Sequence, residues 1–238
     1  LELKQRFPSV FSWRGSTGDM LIAERVSGSG VIQEEQREVP GFDRIRLEAG
    51  GLTEIVISDV DRLTIQADDN LLPYLVSQVS GGELRISVEP GYSISPSKPV
   101  RFFIGLRDLE GLSLSGSSEA ILAGYAGQSL EVEASGAAKF KLTGAEVDYL
   151  RVELSGAAEA ILEGVGGQLQ VDISGAGKLD AGGLLCQQAQ VDLSGIAEAV
   201  IWVSEDLQAD LSGVSRLAYY GAPAVNHNAS SSSRVESL

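Results

Sequence analysis

The stretches VDISGAGKLD (171–180) and VDLSGIAEAV (191–200) are two copies of one phrase, set twenty residues apart. Each is an alternating apolar run that ends in Ser-Gly and leads into a second short run. The pair recurs as Ser115-Gly116, Ser135-Gly136, Ser155-Gly156, Ser174-Gly175, Ser194-Gly195 and Ser212-Gly213, in steps of 20, 20, 19, 20 and 18 residues, with a degraded copy at Ser230. A catalytic loop is needed once. A repeated one at a near-constant period is architectural.

The residues around the corner identify the architecture. Before the serines stand Leu130, Val132 and Ala134; Leu150, Val152 and Leu154; Leu169, Val171 and Ile173; Ala189, Val191 and Leu193; Leu207, Ala209 and Leu211. Apolar residues at every second place mean a strand with one buried face. No apolar stripe of helical period interrupts the region. Coils of about 18–20 residues with glycine corners predict an all-β fold, a single-chain parallel β-helix whose coils stack at about 4.8 Å. A leucine-rich repeat needs a helix or an Asn ladder per unit, and a propeller blade needs about twice the length.

Stacked coils make equivalent positions neighbours, so their chemistry tests the register. The fourth residue after each Ser is Glu119, Lys139, Glu159, Lys178, Glu198 and Arg216, alternating in sign at every step. The fifth is Ala120, Phe140, Ala160, Leu179, Ala199 and Leu217, alternating small and large as a filled layer requires. Each exposed pair is worth only about 0.2–1 kcal/mol, so the ladder matters mainly for register. Glycine permits the corner dihedrals, and the stacked serine hydroxyls are expected to hydrogen-bond along the ladder.

Residues 45–57 read as the same coil with Gly50-Gly51 in place of Ser-Gly, which puts Glu54 on the Glu119 rung. The next segment reads as a strand, a short loop or helical turn, and a hairpin through Gly81-Gly82. Residues 29–238 are expected to form one domain, with irregular first coils over 29–110 and regular Ser-Gly repeats over 111–238. Residues 1–28 are expected to be a linker or a cap, with Phe7, Phe11 and Trp13 covering the open first coil. The polar stretch NHNASSSS is expected to cap the other end.

The bulk numbers narrow the function. Thirty-three acids against 18 bases give a net charge of −15. No Lys/Arg cluster offers a face for nucleic acid, and the charge opposes an anionic membrane surface. No apolar run is long enough to span a bilayer. One cysteine, Cys186, excludes an internal disulfide and a multi-cysteine metal site, and reads as a buried inert thiol. The chain opens on Leu1 without Met, as expected of a processed or truncated form, so a signal peptide is not there to be read.

One column is chemically conspicuous. The second residue before each Ser is Ser113, Glu133, Glu153, Asp172, Asp192, Asp210 and Asn228. Carboxylates about 4.8 Å apart repel by about 1 kcal/mol per neighbour even in water. Arg151 is the one base on this face, among Glu131, Gln170, Gln190 and Gln208. The ordinary reading is a solvated acidic stripe. The sharper reading is a row of Ca²⁺ or other cation sites over Glu133, Glu153, Asp172, Asp192 and Asp210, and a third is a docking face for a basic partner. The single histidine, His227, falls on an inward position of the degraded coil, equivalent to Val191 and Ala209, so no Ser-His-acid triad can be assembled.

The segments GSGVIQEEQREVPGFDRIRLEAGG and ADDNLLPYLVSQVSGGELRI, with the recurring LSG strands, resemble the DUF2807 family, "putative auto-transporter adhesin, head GIN domain", over roughly 28–238. The resemblance implies a parallel β-helix exported across the cytoplasmic membrane, in the periplasm, at the cell surface or secreted, and brings no catalytic residues. Where the family's usual corner is SGSGD, this chain has SGAAE and SGAGK. The expected function is a non-enzymatic surface protein, monomeric or weakly self-associating, that binds an extended partner such as a polysaccharide, cell-wall polymer or surface protein, with no cofactor. The alternatives are a polysaccharide lyase or glycoside hydrolase on a β-helix, and a structural module that assembles with itself.

Overall fold

The computed structural model describes residues 23–238, so Phe7, Phe11 and Trp13 lie outside the described residues. From Gly111 onward every Ser-Gly pair joins two strands that stack parallel on those of the next coil. On the first face Leu112, Val132, Val152, Val171, Val191 and Ala209 form one inward row. On the second face Ala120, Phe140, Ala160, Leu179, Ala199 and Leu217 form another. Both rows are buried and belong to one continuous core. The result is a parallel β-solenoid of about six turns, 69% strand. Each inward Leu or Val contributes roughly 1.5–3 kcal/mol by leaving water, provided the register keeps it inside.

The corner glycines are required for their dihedrals, and from Gly136 onward for a close contact as well. Gly116, Gly136, Gly156, Gly175, Gly195 and Gly213 all have positive φ, between 67° and 89°. They also stack backbone on backbone. A β-carbon on Gly156 would lie 2.9 Å from the Gly136 carbonyl oxygen, and one on Gly175 2.7 Å from that of Gly156. Those carbonyls accept hydrogen bonds from the following coil, Ala157 N–H to Gly136 at 2.8 Å and Ala176 N–H to Gly156 at 2.7 Å. The serine hydroxyls of the regular corners do not bond to one another. Those of Ser135, Ser194 and Ser212 donate to the carbonyls of Leu114, Ile173 and Leu193 in the preceding coil, each at 3.4 Å. The same carbonyls accept the serine N–H groups at 2.9 Å. The serine thus bonds along the stack by doubling a backbone bond to the preceding coil.

Coils differ in length only at the opposite corner. Register breaks occur between Leu142 and Ala145, Ile161 and Glu163, Ala181 and Leu185, and Cys186 and Gln188, while the Ser-Gly side stays in step.

The first third visits its coils out of order. Arg44–Leu47 and Gly51–Ile57 form one coil. The chain then leaves through Arg62–Asp68, a 3₁₀ turn at Leu72–Tyr74, and the expected hairpin of Leu75–Ser80 and Glu83–Val88. Glu83–Val88 and Arg101–Leu106 stack on the outer side of that first coil, and Gly111–Leu114 and Ser118–Ala123 on its inner side. Antiparallel strands Arg62–Asp68 and Ile32–Arg37 complete this end. Glu54 does not take the Glu119 rung. Leu52 does, and Glu54 faces Ile121, because Ile45 and Leu47 align with Leu112 and Leu114 and the glycine pair falls opposite Ser117 and Ser118. The inward apolar row, not the glycines, sets this register.

The segment Asp68-Asp69-Asn70 ties this end together. Asp68 has no accessible surface. Its carboxylate accepts from Ser97 Oγ (2.6 Å), Ser97 N (2.9 Å) and Gly30 N (2.7 Å). Asn70 accepts from Ser29 N and donates to the Ser27 carbonyl, both at 2.8 Å. The hydrogen bond from Ser97, foremost, holds the Asp68 carboxyl below its ordinary pKa against the opposing effect of burial.

Two predictions follow from these constraints. Gly116→Ala and Gly175→Ala both place a β-carbon at positive φ, at a cost of roughly 1–2 kcal/mol. Only at Gly175 does that carbon also meet the backbone below, adding roughly 1–3 kcal/mol of overpacking. Gly175→Ala is therefore expected to lower the melting temperature clearly more, and equal losses by circular dichroism would remove the stacking constraint. Because the folded pKa of Asp68 is depressed, its ionised form stabilises the fold above the unfolded carboxylate pKa, and that stability is lost as pH falls through the folded pKa. Asp68→Asn is expected to destabilise at neutral pH, with the gap to wild type closing in acid. A gap independent of pH would show that ionisation is not the cause.

Candidate functional site

The outward side of the first face is a set of columns parallel to the solenoid axis, because parallel stacking in register puts equivalent side chains one above another. One column runs Arg85, Arg46, Ser113, Glu133, Glu153, Asp172, Asp192, Asp210, Asn228. Beside it run the corner serines. Between Arg46 and Asn228 the two line a continuous groove of about 700 Å³, with Glu133, Glu153, Asp172, Asp192 and Asp210 along one side and Ser115 to Ser212 along the other. The acidic column of the sequence and its Ser corner are thus two walls of one concavity.

Charge is unevenly compensated along it. At the first end Arg46 pairs with Glu83 at 3.0 Å and Arg85 with Glu48 at 2.7 Å. The bond to Glu83, with the charges of Glu83, Glu133 and Glu48, holds Arg46 above its ordinary pKa. Ser113 Oγ donates to Glu133 at 3.1 Å. In the middle Arg151 bonds Glu153 and reaches Glu131 at 3.6 Å and Asp172 at 3.5 Å. The hydrogen bond to Glu153, foremost, raises its pKa. Beyond Asp172, compensation ends among the described residues. Asp192 receives only the Gln190 amide, at 3.5 Å. Burial first, then the charges of Asp172 and Asp210, push its carboxyl above the ordinary value.

The carboxylates form a row, one per coil, rather than a cage. Among the described residues no three His, Cys, Asp or Glu side chains converge as a metal ion requires.

The charge ladder is in register from Glu119 to Arg216. It closes at alternate rungs: Lys139 to Glu159 at 3.0 Å and Lys178 to Glu198 at 3.5 Å. Arg216 turns instead to Glu236 in the last coil, at 3.0 Å. The next outward column, Ile121, Lys141, Ile161, Asp180 and Val200, alternates apolar and charged in the same two-coil rhythm and ends in Ala218, which is buried. The repeating unit on this face is therefore two coils, EAIL, EAIL and EAVI alternating with KFKL, KLDA and RLAY. That period was available in the sequence at the sixth residue after each Ser.

His227 stands in register with Ala209 on the last strand of the first face, Ala224–Ala229, but is exposed because no further described coil covers it. Cys186 is buried and its thiol is pushed up to about 12 by burial, which suppresses the thiolate and with it nucleophilic chemistry. Among the described residues no helix is long and apolar enough to cross a membrane.

The model of the DUF2807 family, described as "Putative auto-transporter adhesin, head GIN domain", matches residues 41–223. No curated protein gives a significant match. Among solved structures, a "putative adhesin" from Bacteroides fragilis is similar with a TM-score of 0.85 and 19% identity, covering 90% of this chain and all of its own. A "putative lipid binding protein" and a "putative adhesin", both from Parabacteroides distasonis, follow at TM-scores of 0.72 and 0.70 with 18% and 20% identity. Each is covered completely and covers 90% of this chain. At such identities the likeness shows the fold.

A stability measurement tests the electrostatics of the groove. Asp192→Asn removes like-charge contacts worth about 0.2–1 kcal/mol each, so it is expected to raise the melting temperature at neutral pH. The gain should be complete above the raised folded pKa and disappear as pH falls below the unfolded value, where the wild-type carboxyl is neutral too. Added salt should shrink it. A destabilised variant at neutral pH and low salt would show that the column is not under repulsion.

Proposed function

We propose that this chain, which belongs to the DUF2807 family, is an exported binding protein that holds an extended surface partner along its first face. The observation that carries the reading is the groove itself: one concavity in which the same carboxylate and hydroxyl recur at each coil. Repetition of like groups suits a polymer with its own repeat, or an extended chain, which meets equivalent contacts at successive coils. Acid–base catalysis needs the opposite, two titratable groups whose environments differ. The family is described as one of adhesins, which agrees with binding without turnover. The uncompensated Asp192 and Asp210 favour a partner that brings hydrogen-bond donors or positive charge.

The test is binding of labelled protein to a panel of glycans, cell-wall polymers and matrix proteins, each with Ca²⁺ and with chelator. Saturable binding without product is expected. It should weaken by about tenfold or more in a variant carrying Asp172→Asn, Asp192→Asn and Asp210→Asn. Loss of binding in chelator would make the acidic row a cation-dependent site. No binding to any member of the panel, or turnover of a polysaccharide, would overturn the reading.

A further inference from the structure

Five large exposed apolar side chains fall on one line. Val165, Leu185, Trp202 and Tyr220 are successive register partners along the corner opposite Ser-Gly. Leu238 continues the line, since Ser237 pairs with Tyr219 and the Leu238 N–H bonds the Tyr219 carbonyl at 2.9 Å. Their exposures are 56, 39, 43, 41 and 58%. Burying any of them would be favourable, so a stripe this regular calls for something that covers it. Its centre is aromatic: the rings of Trp202 and Tyr220 lie 6.0 Å apart, tilted by 52°.

A few residues further along the same strands, on the first face, the surface falls into a hollow of about 330 Å³. Gln168, Gln188, Gln190, Gln208, Asn226 and Asp206 line it. Among the described residues, the side-chain amide bonds in these columns are those of Gln170, to Tyr149 and Asp172, and of Gln190, to Asp192. The amides of Gln168, Gln188, Gln208 and Asn226 therefore keep both donors and acceptors for a ligand.

The two features together select a ligand class. An aromatic face carries negative potential and receives polarised C–H groups or a cation. Primary amides match hydroxyl groups, which also donate and accept. A cationic side chain would use the ring, Asp206 and the amide oxygens, but it has no acceptor for the amide N–H groups. An anionic polymer would meet Asp180, Glu205 and Asp206, which are all exposed, and a net charge of −15. A neutral sugar chain uses all of it. We propose that Trp202 and Tyr220, with the hollow formed by Gln188, Gln208 and Asn226, bind a neutral extended glycan, the ring stacked on a sugar face and the amides on its hydroxyls. The proposal rests on the binding-protein reading above but uses residues outside the acidic groove wall.

The experiment uses intrinsic fluorescence in a Trp13→Phe background, where Trp202 is the single indole, titrated with short neutral oligosaccharides of glucose, mannose and N-acetylglucosamine and with oligolysine. At least one neutral sugar is expected to shift Trp202 emission saturably, with little dependence on salt. By calorimetry, Trp202→Ala and Tyr220→Ala, and Gln188→Ala with Gln208→Ala, should each weaken binding by about tenfold or more at unchanged melting temperature. The triple aspartate variant of the groove should bind the sugar normally. Failure of every neutral sugar, equal binding by Trp202→Ala, or saturation by oligolysine alone would overturn the site. If surface polymers still bind through the groove in that case, the broader reading survives and only the glycan site falls.

Discussion

Everything in this molecule depends on one close contact: the carbonyl of a corner glycine in one coil lying under the backbone of the corner glycine in the next. It is too close for a β-carbon and is sealed by a bond from the N–H of the residue that follows the upper glycine. This contact ends each first-face strand and begins each second-face strand at the same height. Two consequences follow. The inward rows meet large against small, as in Phe140 between Ala120 and Ala160. The outward rows become straight columns of chemistry, so a single residue choice per coil writes a line along the rod.

What was legible in the sequence was whatever repeats at fixed distance from that corner. The parallel solenoid, the alternating ladder and the acidic column are all such signals, and each residue named in them lies in the column its offset assigns. Features outside that frame were not legible. Glu54 was placed by its glycine pair, whereas the inward Ile45 and Leu47 decide its register. The coil of Glu83–Val88 and Arg101–Leu106 lies outside an earlier one, and a periodic reading assumes sequential order. The Asp68 knot joins Gly30 and Ser97 across the chain with no period at all. The serine hydroxyls do bond from coil to coil as their spacing suggests, but spacing did not name the acceptor, which is the strand-end carbonyl that already takes the serine N–H.

The candidate site was half visible. Spacing gave the carboxylates, but not that Arg46 and Arg85 continue their column, because those residues precede the first Ser-Gly. Nor did spacing give the concavity, which arises only when the column and the corner serines form two walls. Trp202 and Tyr220 escaped notice for a related reason. They stand eight residues after Ser194 and Ser212, but their stripe partners Leu185 and Val165 stand eleven and ten after Ser174 and Ser155, past the register breaks, so no single offset marks the line.

That division has a functional logic. Insertions and deletions between coils are absorbed at the corner opposite Ser-Gly, where the ladder breaks at Ala181 and Cys186 without disturbing Asp192 against Asp210. A residue added there lengthens one bulge. A residue added at the Ser-Gly corner would turn the inward side chains of the strand that follows it outward. The groove is therefore built on the side where the fold tolerates no slippage, which keeps its carboxylates at constant spacing, while the aromatic stripe sits on the side where length can vary. A surface meant to match a repeating partner needs the first property, and a surface meant to select among partners gains from the second.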